Sequence, residues 1–414
     1  MNGGSTTAVV PAKSKNRRVL FFVGIVVVIL LAIVLAFNKF FLYNGKIARN
    51  VTIEGVEISN MTKSDAYKAV SSKYTLRDIN LSYDGRDYKV KAGDIGLKYD
   101  IEGAVNDAYD MTKKDTYLKN IKKYFAVLFE GDNLKFDTSF DEAKLSEKVS
   151  KIADGINVKM KNASISIDGG INYKDSVTGR EFDVAANKES IYKRISNKNA
   201  QVLPLKVNLK KPEITLDQVK QVNSTLGSFS TDYGSSPDGR RYNVGLAARK
   251  ASDIILMPGE EFSYNAYTGP SNRANGYKNA PVIVYGKIKQ APGGGVCQTS
   301  STMYNAALFA GMQITEVNNH SQHSSYVPRG RDATVSDGGL NLRFKNPYDH
   351  PVFIKNYADG GTVSSVIYGN ETDKKKVSIN VKYGSGVYST YRNFVDDAGN
   401  VVKSEHIANS TYKK

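Results

Sequence analysis

The chain has 414 residues, with 57 lysines and arginines against 41 aspartates and glutamates, a net charge of +16, four histidines, one cysteine and no tryptophan. A single cysteine excludes an internal disulfide framework, and four histidines with no pair at i, i+4 argue against a zinc site. The excess charge is scattered lysine without a dense basic-aromatic stripe, which speaks against nucleic acid as a partner and for an anionic surface.

In chain order, Val19 to Phe37 (VLFFVGIVVVILLAIVLAF) carries no charge, and its length nearly matches the ~20 apolar residues that span a bilayer as a helix. Asn38-Lys39-Phe40-Phe41 follows it, without the small residues of a cleavage site. Lys13, Lys15, Arg17 and Arg18 precede it with no acidic residue. The positive-inside rule therefore predicts a cytoplasmic stub at 1–18, a single-pass signal anchor at 19–37 and everything after it outside the cell. With four basic residues inside, +12 remains outside, which suits an anionic cell envelope.

From Gly45 to about Pro212 the chain repeats weakly. Leu81-Ser82-Tyr83-Asp84-Gly85, Tyr88, Gly96 and Asp100 return, at a nearly constant offset, as Ile165-Ser166-Ile167-Asp168-Gly169, Tyr173, Gly179 and Asp183. Each unit opens with an amphipathic helix, over Lys63 to Tyr74 and Phe140 to Gly155, and continues with short strands around the Asp-Gly turn. Two α+β modules are predicted, at 45–125 and 126–212, with the lysine-containing segment from Pro204 to Pro212 as a linker. The layout resembles the peptidoglycan-binding modules that precede catalytic domains in some Gram-positive wall enzymes. Neither module holds a constellation of catalytic side chains, so a spacer role is equally compatible with their sequence.

From Leu226 glycine increases and lysine thins. Here the one cysteine ends a glycine run, Gly293-Gly294-Gly295-Val296-Cys297-Gln298-Thr299-Ser300-Ser301. Helical spacing of Met303, Ala306, Ala307 and Ala310 predicts a helix over Gln298 to Gly311. Cys297 would then sit at a helix N-terminus, where free amides and the dipole favour a thiolate. A strand over Met312 to Val317 would bring His320 back to the helix start as a base for Cys297. Asp332 is placed to orient that imidazole. Backbone amides at Gly295, Val296 and Cys297 are candidate oxyanion donors. His323 is the alternative base. Arg329 and Arg331 suit substrate carboxylates, and Tyr326 is a further substrate-binding candidate. Each has a bland counterpart: a buried structural thiol, a satisfied histidine, an Asp332–Arg331 ion pair, exposed arginines, a core tyrosine. Beyond, Leu340 to Phe344, Val352 to Tyr357, Val363 to Tyr368 and Val377 to Val381 read as strands, with His350 and His406 outside any catalytic role.

Several stretches in order, Asn243-Val244-Gly245, Pro258-Gly259-Glu260-Glu261-Phe262, the glycine-cysteine motif, Asn319-His320-Ser321, Tyr326 to Val335 and Leu342 to Asn346, resemble a VanW domain. The resemblance implies an exported, membrane-anchored protein of Gram-positive bacteria, a role in peptidoglycan and L,D-transpeptidase activity through the motif's cysteine. The family carries a proline near position 323, so His323 departs from it. The Ser/Thr-His-Gly-Cys string of the common L,D-transpeptidase fold is absent from this chain, as is a convincing Ser-x-x-Lys. The expectation is thus an α+β protein with a transmembrane helix, two small modules, a catalytic domain at 226–370 and a β extension at 371–414. It would act on peptidoglycan stem peptides, with no cofactor and no metal. Transpeptidation, L,D-carboxypeptidation, a non-catalytic wall-binding role and a cysteine endopeptidase or amidase remain open at this point.

Overall fold

The structure is a computed structural model describing residues 15–198, 200–284 and 287–413. Lys13, one of the four basic residues before the apolar run, lies outside the described residues. The chain is an α+β protein. Helix α1 (Lys15–Phe37) runs on through a π-helical turn at Asn38–Leu42. The stretch Arg17–Leu42 is long and apolar enough to cross a membrane; its side chains are exposed over most of its length, Leu20 being 70% exposed, while at its end Phe37 and Leu42 join a core of the first unit. The chain divides into two compact units, Met1–Asn157 with Arg180–Asn208, which includes α1, and Val158–Gly179 with Leu209–Lys414.

The first unit has two cores. In one, α2 (Lys63–Lys73), α3 (Ile101–Asp110) and α4 (Tyr117–Glu130) surround the strand Val51–Ile53, which pairs in parallel with Asp132–Leu134. Val51, Ile53, Val70, Val105 and Val127 are buried there, each contributing about 1.5–3 kcal/mol. Thr62 and Asp100 cap α2 and α3 by accepting from the backbone N–H of Asp65 and Gly103. In the other core, the hairpin Ile79–Tyr83/Arg86–Val90 packs on α5 (Glu142–Ile156) and α6 (Val184–Ser196) through Leu81, Val90, Leu145, Val149 and Ile191. Its turn residues, Asp84 at φ +51° and Gly85 at φ +71°, have the left-handed backbone that a two-residue hairpin demands. The segment read as a linker is ordered here: Leu203–Pro204 pairs in parallel with Leu81–Ser82, and Leu205 donates its N–H to Ser82 O at 2.8 Å while its side chain is buried.

In the second unit the other Asp-Gly hairpin, Ser164–Ile167/Ile171–Lys174, packs with α7 (Leu216–Val219), Val222 and Phe353. A four-stranded antiparallel sheet follows in the spatial order Ser224–Asp232, Thr362–Gly369, Val352–Asp359, Ile254–Leu256. Helices α8 (Asp238–Lys250), α9 (Tyr264–Thr268) and α10 (Val296–Phe309) complete the domain, α10 and α8 lying against the sheet. Met303, Tyr304, Ala307 and Leu308 of α10 are buried with Leu256, Phe344, Ile354 and Ile367. The expected strand after α10 is found at Gln313–Glu316, paired with Arg343–Lys345, which in turn pairs with Glu261–Ser263. The chain ends in a three-stranded meander, Val377–Gly384, Val387–Val395 and Val401–Ser410. Arg392 fastens it below α10, donating to Met312 O at 2.6 Å while paired with Glu405 at 2.6 Å.

Candidate active site

The hairpin Asn279–Val284/Lys287–Pro292 delivers the glycine run to α10. Gly295, at φ +112°, is the residue before the helix, and a Cβ there would stand 3.0 Å from Arg240 Cγ and Val244 Cγ2. At Gly294 a Cβ would fall 2.5 Å from Pro281 O. Only glycine tolerates such an approach and such a φ. Asn243 clamps the run by donating to Gly294 O (3.0 Å) and Lys278 O (2.8 Å), and Tyr264 donates to Val296 O at 3.0 Å. Helix α10 starts at Val296 rather than at Gln298 as the spacing predicts, so Cys297 lies in its first turn. The Val296 amide donates to Gly293 O at 3.2 Å and is occupied. The Gly295 and Cys297 amides have no backbone acceptor among the described residues.

The first turns of α10 are polar yet buried: Gln298, Thr299, Ser300, Ser301, Thr302 and Asn305. These side chains hold the neighbouring segments in place. Ser300 donates to Ala333 O at 2.6 Å, Ser301 accepts from Ala333 N–H at 2.9 Å, and Asn305 donates to Arg331 O at 2.8 Å. On the other side Gln298 donates to Asp232 O at 2.8 Å. Segment 331–335 is thus laid along the helix start, and the Cys297 thiol donates to Val335 O at 3.4 Å.

On that segment Asp332 is 2% exposed. Its Oδ2 accepts from both the backbone N–H (2.6 Å) and the Nδ1 (2.7 Å) of His320. With Nδ1 engaged in this way, Nε2 is the ring nitrogen left to interact with the neighbouring Cys297 side chain. Burial alone would lower the His320 pKa, but the bonds to Asp332 and Cys297 outweigh it and raise the imidazole to about 9. Burial likewise pushes the Asp332 carboxyl up, and the His320 and Tyr412 hydrogen bonds reverse this and hold it below its ordinary value. His320 and Asp332, from two separate segments, are thus bonded to each other, with Cys297 close enough to act on the imidazole.

The remaining expected residues are distributed differently. Tyr326 stacks edge-on against His320, centroids 6.4 Å apart, and burial, then the charge of Cys297, pushes its hydroxyl well up. His323 is engaged elsewhere, its Nε2 3.0 Å from Val327 O. Arg331 is held by Asn305 Oδ1 at 2.6 Å and lies between the Phe229 and Phe309 rings, and Arg329 lies over Tyr388, bonded to its hydroxyl at 2.9 Å. Two residues at the site have no sequence signal. Arg240, on α8, bonds Ser236 Oγ at 2.7 Å, and burial lowers its guanidinium while Tyr326 and Cys297 counter that shift by their proximity. Tyr412 donates to Asp332 Oδ1 while accepting from Gly330 N–H at 2.7 Å. Among the described residues no group of three or more His, Cys, Asp or Glu side chains is placed to hold a metal.

Comparison with known proteins finds two separate matches along the chain. Residues 88–204 match the family described as "Putative peptidoglycan binding domain". Residues 239–368 match the family described as VanW like protein. The chain is 41% identical over 146 residues to the uncharacterized protein YoaR of Bacillus subtilis (strain 168), covering 35% of this chain and 48% of that one. It is 28% identical over 113 residues to the vancomycin B-type resistance protein VanW of Enterococcus faecalis (strain ATCC 700802 / V583), covering 26% of this chain and 41% of that one. The chain thus spans less than half the length of each of these relatives. No solved structure matches significantly. The glycine run, Cys297, His320 and Asp332 all fall inside 239–368, so the candidate site lies in a VanW-like domain that the chain carries together with a stretch similar to a peptidoglycan binding domain.

Proposed function

We propose that this protein is a cell-wall L,D-transpeptidase working through a cysteine thioester, anchored in the membrane by Val19–Phe37 with everything after that helix outside. The two matched families associate the chain with the cell wall. The Cys297–His320–Asp332 grouping is the observation that carries the catalytic reading. Cys297 stands beside an imidazole whose pKa is raised to about 9, and acyl transfer through a thioester takes a sulfur nucleophile next to such a base. The thiolate attacks the carbonyl of the third stem residue, and the oxyanion faces the free amides of Gly295 and Cys297. His320 gives its proton to the departing amino group of the terminal D-alanine as the C–N bond breaks, leaving a thioester. The side-chain amine of a neighbouring third residue then attacks that thioester. His320 takes the amine proton, the C–S bond breaks, and the thiolate is restored beside the protonated imidazole. Asp332 stays ionised throughout and keeps Nδ1–H pointed away from the sulfur. With water as acceptor the same steps release a tripeptide, an L,D-carboxypeptidase outcome. Arg240, beside Cys297 and Tyr326, is the cation placed to receive a stem carboxylate, ahead of Arg329 and Arg331, whose guanidinium groups are engaged elsewhere.

Intact-protein mass spectrometry after brief exposure to a tetrapeptide stem tests the covalent step. The expected result is an adduct equal to the substrate less D-alanine, absent from Cys297→Ala. Unmodified protein at every time point, with substrate consumed equally by both proteins, contradicts the thioester.

A further inference from the structure

The second core of the first unit holds a buried arginine with no anion beside it. Arg194, in the last turn of α6, is 7% exposed. Its Nε and Nη1 are buried without a hydrogen-bond partner, and no ion pair engages it among the described residues. Burying a guanidinium in this state costs several kcal/mol unless an anion meets it, and burial lowers its proton affinity accordingly. Arg194 lines a cavity of about 140 Å³ together with Lys73, Arg77, Tyr99 and Lys198. No aspartate or glutamate lines that cavity. The nearby carboxylate, Glu54, is already held by Lys198 at 2.6 Å. Arg77 and Arg194 both act on the Tyr99 hydroxyl, so two guanidinium groups and a phenol converge on one small space. On the far side of the two arginines a second depression holds Asp78, which is engaged by Ala92 N–H at 3.0 Å.

We infer that this cavity is an anion-binding site and that its ligand is a carboxylate of a peptidoglycan stem peptide. A guanidinium fork matches a carboxylate in shape and charge. The volume admits a terminal carboxyl group and little more. The inference rests on the association of the chain with the cell wall, and adds to it which residues grip the polymer; Arg194, Tyr99 and Lys198 fall inside the 88–204 match, while Lys73 and Arg77 lie just before it.

Sedimentation of the full chain in detergent micelles with purified sacculi tests this, using sacculi before and after acid stripping of phosphate polymers and a batch with amidated stem carboxyls. Arg194→Met keeps the apolar stem of the side chain, and Arg77→Ala, at an exposed position, guards against a folding defect; both are checked by circular dichroism. The expected result is binding to stripped sacculi that falls severalfold in each variant and on amidation. Wild-type binding that the variants retain overturns the inference and leaves wall association standing. Binding that disappears on stripping assigns the site to phosphate and overturns the carboxylate. An absence of binding by any protein to any sacculi overturns wall association and the inference with it.

Discussion

Asp332 divides its two oxygens between different partners, His320 on Oδ2 and Tyr412 on Oδ1, and this sets the charge state of the candidate base. Removing that carboxylate charge in Asp332→Asn should return the His320 pKa from about 9 toward 6.5, readable from the imidazole proton shifts in an NMR titration; an unchanged titration would contradict the assignment. Tyr412→Phe removes a hydrogen bond that holds the Asp332 carboxyl down and should slow acyl transfer roughly tenfold, about 1.4 kcal/mol, with the melting temperature little changed. The sign of the pH dependence follows from the same group. A histidine whose folded-state pKa is raised gives stability that is complete below about 6.5 and is lost as pH rises through about 9. The domain should therefore lose up to about 3 kcal/mol between these values, a slope seen in thermal melts and absent in His320→Ala. The strand that follows α10 and leads toward His320 was legible because a helix and a returning strand are local devices. Tyr412 was not, since it reaches Asp332 from a distant point of the chain, across a separate sheet.

At the scale of elements, α10 is defined by its buried polar face as much as by its apolar one. The helical period marked Met303, Ala306, Ala307 and Ala310 as inward-facing, and it placed Ser300, Ser301 and Thr302 in the first turn. What periodicity does not disclose is that segment 331–335 covers those hydroxyls, because hydrogen bonds between distant segments leave no trace in either segment's own pattern. Asn305→Ala would leave the Arg331 carbonyl and Nε unpaired and should cost about 1–3 kcal/mol, measured as a lowered unfolding midpoint in urea. Gly295→Ala, forced to φ +112° against Arg240 and Val244, should cost as much or more and misplace the thiol. An alanine variant with full stability and activity would show that the run is not needed for its geometry.

Across the whole molecule, the two Asp-Gly hairpins share a strand–cap–helix sequel, yet their turns have two and three residues and they join different cores. The first packs with α5 and α6, the second with α7 and Phe353. Local signals specified the hairpins and the repeated Asp100 and Asp183, which in the structure cap α3 and α6; which core receives each hairpin depends on surfaces made by residues far along the chain. The C-terminal meander lies beyond the 239–368 match, yet its tail closes on the site: Asn319 donates to Thr411 O at 2.6 Å and Lys413 N–H to Ser321 O at 2.8 Å. Removing Thr411 to Lys414 should therefore reduce acyl transfer severalfold or more while sacculus binding is kept, a split that sedimentation and product analysis on the same preparation would reveal. The central claim is that Cys297 transfers an acyl group between stem peptides. The most direct measurement incubates the full chain and its Cys297→Ala variant with disaccharide-tetrapeptide and identifies the products by mass spectrometry. The account predicts a crosslinked dimer, or a tripeptide, formed by the wild type and absent from the variant. Intact substrate with both folded proteins would contradict it.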